Sequence, residues 1–319
     1  MRGEEDFREN PSRRRLLTAA AVAPVLVGAS PRAASAEGAR RQPVLPVPTR
    51  EADWGAVAEI LGRAGTMSDG SVYRVRFARQ DLPVTTYGVT LFVGSYAAFT
   101  RYDDGRTVVM GSLALTEAEL QHAADALHAR GLDLTSVHKH LPAHEPAMWW
   151  AHFHGHAEDP LPLAHGVAAA LAVTSTPTAP PPASQPPLDL DTTAVEEALN
   201  AKGVNDSGVL RFTFARRETV TDHGRVLPPA AGATTLISFY PVGGRRAAVN
   251  GDFAMTAGEV RDVLTALRRG GIDLVELHNH GLTEEPRLFY AHFWAIGDGT
   301  ALARALRAAL DATDSAPTA

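Results

Sequence analysis

The sequence predicts an α+β fold. It reads as two tandem repeats of a mostly antiparallel sheet, with helices packed on one face of each, paired about a pseudo-twofold axis. Three observations predict it. First, two segments match at a constant offset of 140: Gly111, Thr116, Gly131, Asp133, His138, His140, Glu145, Pro146 and Ala151-His152-Phe153 fall on Gly251, Thr256, Gly271, Asp273, His278, His280, Glu285, Pro286 and Ala291-His292-Phe293. Upstream, Phe77-Ala78-Arg79 falls on Phe214-Ala215-Arg216 at offset 137. Second, a stretch with six prolines, residues 174–189, separates the copies. Third, each copy alternates helical and strand periodicities in the order α-β-β-β-α-β-β-α, an α+β pattern. Two long copies make a duplicated domain, not a solenoid.

From the N-terminus, residues 1–36 read as an export signal. Ser12-Arg13-Arg14-Arg15-Leu16-Leu17 resembles a twin-arginine motif, an apolar stretch runs from Leu16 to Gly28, and Ala34-Ser35-Ala36 is an A-x-A cleavage pattern. Cleavage near Ala36 leaves a soluble extracytoplasmic chain. Removing residues 1–36, with six Arg and four acidic residues, takes the net charge from −6 to −8. Residues 37–49 and the extreme C-terminus are expected to be disordered. Repeat one spans 50–173, the proline-rich linker 174–189 and repeat two 190–316. Prolines donate no backbone hydrogen bond, so the linker stays outside any sheet.

Each repeat opens on a short helix (Asp53–Arg63; Thr192–Ala201). A strand follows (Val72–Ala78; Val209–Ala215), then a strand pair (Gly88–Tyr102 with Thr107–Leu113; Thr234–Pro241 with Ala247–Phe253) turned by Asp103-Asp104-Gly105 or Gly243-Gly244. Thr116-x-x-Glu119 and Thr256-x-x-Glu259 fit the capping box that starts a second helix, and Gly131 or Gly270-Gly271 ends it. Two more strands and an Ala/Leu-rich helix complete the unit. Arg79 and Arg216 end matching strands and fit salt bridges better than substrate contacts. Asp298 fits a helix cap, and Asp252 a turn or cap ahead of a supporting carboxylate.

The last strand pair carries the chemistry. Alternation puts Val275, Leu277, Phe289, Ala291 and Phe293 on the face under the helices, and Glu276, His278, His280, Tyr290, His292 and Trp294 on the other. A hairpin centred near Glu285 sets His278 opposite His292. Repeat one copies the layout with Ser136, His138, His140, Trp150, His152 and His154. His144 and His156 are extra imidazoles there.

Composition narrows the chemistry further. The 319 residues include 13 His and no Cys, which excludes disulfides, thiolate metal sites and cysteine nucleophiles. A net charge of −6 argues against nucleic acid as a partner. No apolar run is long enough for a transmembrane segment. No G-x-S-x-G, P-loop or dinucleotide-binding glycine pattern occurs. The metal-ligand candidates are therefore His278, His280 and His292, with His138, His140 and His152 in the other copy. Three imidazoles suit a divalent transition metal, Zn, Fe, Mn or Cu. Glu285 and Glu145 are the candidate catalytic residues, as fourth ligand or as general base. One shared site and two separate sites both fit.

The stretch VELHNHGLTEEPRLFYAHFWAIGD at 275–298 resembles the LppY/LpqO family of bacterial exported proteins, also called the DUF1259 or DUF1529 domain. The resemblance covers both copies, most of 55–313. Its most recognisable parts are Gly251-Asp252, His278-Asn279-His280 and His292-Phe293-Trp294. Repeat one departs, with Ser112 for the Asp and Lys139 for the Asn. The resemblance implies export and a repeated domain, and no particular activity. The name-giving members are lipoproteins, and the lipid anchor does not carry over to a chain without Cys. The resulting expectation is an exported protein with a His/Glu metal site, as a hydrolase or lyase on an unknown small molecule. The alternatives are a non-catalytic envelope binding or metal-buffering module, and a structural pseudo-dimer whose His and aromatic faces only pack.

Overall fold

A computed structural model describes residues 42–178 and 185–318. The export signal and the middle of the proline-rich linker lie outside the described residues. Repeat one runs α1 (Gly55–Ile60), β1 (Thr66–Ser68), β2 (Val72–Ala78), β3 (Val84–Thr86), β4 (Val89–Leu91), β5 (Gly94–Arg101), β6 (Thr107–Thr116), α2 (Glu117–His128), β7 (Asp133–His138), β8 (His144–Glu145), β9 (Met148–Ala157) and α3 (Pro160–Ala172). Repeat two runs α4 (Thr192–Leu199), β10 (Val204–Asp206), β11 (Val209–Arg216), β12 (Thr221–Asp222), β13 (Arg225–Val226), β14 (Thr234–Pro241), β15 (Arg246–Thr256), α5 (Val260–Arg269), β16 (Asp273–His278), β17 (Glu284–Glu285), β18 (Leu288–Asp298), α6 (Gly299–Leu310) and β19 (Ser315–Pro317).

The two main sheets have the same antiparallel order, β1-β2-β5-β6-β9-β7 and β10-β11-β14-β15-β18-β16. One face of each is covered by its own helices. Phe77, Phe99, Leu113, Phe153, Leu127 and Val167 form the first core, and Phe214, Phe239, Phe253, Phe293, Leu267 and Leu306 the second. The other faces meet each other. Ala114 and Trp150 of repeat one pack with Ala248 and Trp294 of repeat two in a buried cluster of its own. A sheet with both faces apolar or aromatic must be covered twice, and the second copy supplies the second cover.

Capping differs between the copies. The Thr116/Glu119 capping box is complete and α2 starts at Glu117. In repeat two, Glu259 still accepts from the Thr256 N–H at 2.7 Å, but α5 starts only at Val260. Gly258, a poor helix former, falls in the intervening turn. Arg79 joins Asp81 and Glu119 in ion pairs, and Arg216 does the same with Glu218 and Glu259. Asp298 caps α6, accepting from the Ala301 N–H at 2.8 Å.

Two expectations of disorder are corrected. Of residues 37–49, those from Gln42 onward are placed: Val44 bridges to Arg225 and Pro46 to Tyr102, so this segment bonds to both repeats. At the C-terminus, β19 pairs with Phe214–Arg216. Both segments satisfy backbone donors and acceptors on edges that would otherwise lie open.

The strand pairing also needs correction. A β-bulge between Leu274 and Glu276 shifts the register, so His278 lies opposite Tyr290 and Glu276 opposite His292. The bulge moves Val275 off the helix side into the inter-repeat cluster, and Leu277 is half exposed at 50%. Repeat one has the same bulge, between Leu134 and Ser136. One extra residue reverses the facing of everything on one side of it.

Candidate metal centre

Strands β7 and β9 carry His138 and His152, and β16 and β18 carry His278 and His292. His140 and His280 follow just past the ends of β7 and β16. Because the two sheets meet on these faces, all six rings gather in one place. The His138 and His278 ring centroids are 3.4 Å apart. His140 meets His292 at 4.0 Å, and its counterpart pair, His152 and His280, meets at 4.1 Å. These nearly equal distances between offset-140 equivalents define the local pseudo-twofold. The aromatic backing is repeated too: His140 stacks on Trp150 at 4.2 Å, and His280 on Tyr290 at 3.5 Å.

The nitrogens converge in two overlapping groups. Ligand atoms of His138, His152, His278 and His280 lie within 4.8 Å of one another, and so do those of His138, His140 and His292. His292 Nε2 is 3.2 Å from His138 Nε2, with each residue drawn from a different repeat. Four nitrogens at about 2.0–2.1 Å from a tetrahedral ion stand about 3.3–3.4 Å apart, so this spacing suits two ligands of one ion. His292 Nδ1 donates to the Gly251 carbonyl at 2.8 Å, which leaves its Nε2 as the lone-pair nitrogen. Gly251 can have no side chain: a Cβ there would lie 1.8 Å from the Leu236 carbonyl oxygen.

Five ring nitrogens of the cluster are buried without a hydrogen bond: His140 Nε2, His152 Nε2, His280 Nε2 and both nitrogens of His278. Each such atom costs about 1–3 kcal/mol unless something takes its lone pair or proton. Burial first, and the neighbouring histidines second, lower the pKa values of His152 to about 3 and His278 to about 2. Burial likewise lowers His292 to about 4, and His138, His140 and His280 move in the same direction. The rings are thus neutral near pH 7, the form that binds a metal. These histidine groups could hold a metal ion.

The carboxylate beside the cluster is Asp252, not the glutamates of the connecting loops. Asp252 sits on β15 directly opposite His292, and its Oδ2 is 3.6 Å from His280 Nε2. Burial raises its carboxyl to about 7. Glu145 and Glu285 pair with Thr85 and Thr221 in small three-stranded sheets and point their side chains to solvent. Neither belongs to a histidine group among the described residues. Strand alternation explains the miss. The inward positions are one residue earlier, at His144 and Glu284. His144 is spent on the Met148 N–H at 3.0 Å, and Glu284 is buried. Asp252 was legible in the Gly251-Asp252 pair, but its partner strand was not.

A further group, His154, Asp222 and His223, lies outside this cluster. His154 Nε2 and Asp222 Oδ2, from different repeats, are 3.2 Å apart. Among the described residues, no helix is long and apolar enough to cross a membrane. A cavity of about 240 Å³ lies against the main cluster, lined there by His140, His152, His280, His292, Ser112 and Asp252.

Helices on one face of an antiparallel sheet, present twice and closed face to face over histidines, define the class of protein. Residues 55–173 and 193–312 both match the model of the family described as Domain of Unknown Function (DUF1259). The chain belongs to that family, as two tandem copies. No curated protein matches it. Among solved structures it is similar to a trimeric bacterial microcompartment shell protein, PduB, at 12% identity and a TM-score of 0.18, over 76% of this chain and 86% of that one. It is also similar to EtuB from Clostridium kluyveri, at 14% identity and a TM-score of 0.20, over 79% of this chain and 94% of that one.

Proposed function

We propose that the protein is an exported metalloprotein with one divalent transition-metal centre, of Zn, Fe, Mn or Cu, shared between its repeats. In this reading it acts on a small extracytoplasmic molecule as a hydrolase or lyase. The observation that carries it is the convergence of histidines from both repeats, with ring nitrogens buried and unpartnered. The ligands would come from His138, His140, His152, His278, His280 and His292. A bound divalent ion supplies Lewis acidity and lowers the pKa of water. Asp252 stands where it can orient His280 or hold a proton next to the cavity. The aromatic rings of Trp150 and Tyr290 fix the second histidine of each H-x-H pair and keep water from its outer side.

The deciding experiment is metal analysis of the purified chain after expression with Zn, Fe, Mn and Cu available. About one equivalent is expected. Less than a tenth of an equivalent in every case sinks the proposal and leaves an interface in which the rings only pack. A metal-buffering role is the second reading, favoured by the number of imidazoles, since four protein ligands close a shell. Cobalt-substituted protein separates the two. Its visible spectrum shifts when a small anion is added to an open site, and does not shift for a closed one. Export rests on residues 1–36, and chain recovered outside the cytoplasm should begin at Glu37.

A further inference from the structure

The cavity beside the histidines has a second chemical end. We infer that this end seats the anionic group, a carboxylate or a phosphate, of a small ligand on Arg74 and Arg211. The inference deepens the proposed function by giving its ligand a class, and it rests on that reading for the role of the histidine end.

Arg74 and Arg211 are equivalents at offset 137, the offset that relates Phe77-Ala78-Arg79 to Phe214-Ala215-Arg216. Their strand neighbours Tyr73, Val75, Leu210 and Phe212 belong to the two helix-side cores. Alternation therefore turns both arginines to the inter-repeat face, and both line the cavity that His140, His152, His280 and His292 line. Duplication has put one guanidinium from each repeat into a single space.

Their charge is poorly balanced. Among the described residues, Arg74 has no carboxylate within 4.0 Å. Its contacts are the Ala230 carbonyl, at 3.0 Å from Nη1, and the face of the Tyr96 ring, at 3.7 Å. Its Nε is buried and donates to nothing. A guanidinium does not shed its proton to escape such a place. Arg211 Nε lies 3.2 Å from Asp206 Oδ2, but the same oxygen also faces Arg76 at 3.1 Å. The cavity is thus lined by two guanidiniums, and the one carboxylate that pairs with either, Asp206, is shared with the exposed Arg76, in a chain whose net charge is −6. The missing partner is an anion, and the planar donor fork suits a carboxylate or a phosphate. The cavity, about 240 Å³, is smaller than the usual ~300–1,000 Å³ of drug-sized pockets. A small acid fits, and a polymer segment does not.

The test uses the full chain stripped of metal and dialysed, titrated calorimetrically with malonate and with inorganic phosphate. The wild type should bind at least one of the two, and which one it binds assigns the group. Arg74→Gln should weaken that binding about tenfold or more. Arg211→Gln, on the other repeat, should weaken it several-fold, and Arg74→Lys should recover part of the loss by restoring charge without the fork. A wild type that binds neither probe overturns the inference. So does Arg74→Gln binding as the wild type does. Metal uptake, measured on a portion of each preparation re-exposed to Zn, Fe, Mn and Cu after stripping, keeps the two failures apart. Anion binding in a chain that takes up no metal sinks the proposed centre alone, whereas metal without anion binding sinks this inference alone.

Discussion

At the scale of single residues, the chemistry rests on which side chains face inward. His138 and His278 sit at the middle of the cluster, ring against ring, and the proposed single centre requires both. His138→Ala or His278→Ala should each reduce the metal content of the whole chain to a small fraction. Retention of half the metal in either variant would mean two independent sites. Glu145→Gln and Glu285→Gln should leave metal content unchanged, because both side chains face solvent. Gly251→Ala should destabilise the fold by about 1–3 kcal/mol in urea titration, through overpacking against the next strand. It should also disturb the carbonyl that orients His292. The six histidines were legible from their repetition. Asp252 was underweighted because nothing local shows which strand lies beside it.

At the scale of elements, the repeated ion pairs hold the start of each second helix against the end of β2 or β11. Burial alone would raise the Glu119 and Glu259 carboxyls, but the Arg79 and Arg216 guanidiniums and backbone N–H groups outweigh it, so both pKa values fall below 4.5. The unfolded chain then binds protons more tightly than the folded one. This contribution to stability is complete above the unfolded pKa and is lost as pH falls through the lower folded values. The urea midpoint should therefore drop on acidification below about pH 4.5, and drop less steeply in the double variant Glu119→Gln with Glu259→Gln. An unchanged slope would place the acid sensitivity elsewhere. The elements themselves were largely readable from periodicity and capping. The bulge at Leu274/Glu276 was not, since an extra residue on one strand leaves the apolar pattern of the sequence intact.

At the scale of the molecule, each repeat closes one sheet face with its own helices and the other with its twin. A ligand that binds only this closed arrangement stabilises it by mass action, by roughly 4 kcal/mol at a thousand times its dissociation constant. Adding the cognate metal to chelator-treated protein should raise the melting temperature, and the chelator should lower it again. A melting temperature indifferent to Zn, Fe, Mn and Cu would argue that the histidines only pack. The two repeats are also tied by Arg225 with Asp104, by the Tyr102 hydroxyl donating to the Val226 carbonyl at 2.9 Å, and by the Thr135 hydroxyl donating to the His280 carbonyl at 2.5 Å. Melting should thus be a single cooperative step, with near-ultraviolet and far-ultraviolet dichroism changing together.

By itself the sequence determined the duplication, the α+β order of each copy and the set of histidines, because offset, period and spacing are properties of one chain read along its length. It also supplied the polar and aromatic face on which Trp150, Trp294 and the histidines lie. Only the tertiary structure decided that the two faces close on each other, that His138 meets His278, that Asp252 and not Glu145 or Glu285 stands beside the imidazoles, and that Arg74 and Arg211 share a cavity. The contacts between repeats join residues about 140 positions apart, and Asp252 meets its histidines across neighbouring strands of its own sheet, over surfaces that leave no period in the sequence. They depend on a one-residue bulge and on the packing of one sheet against another.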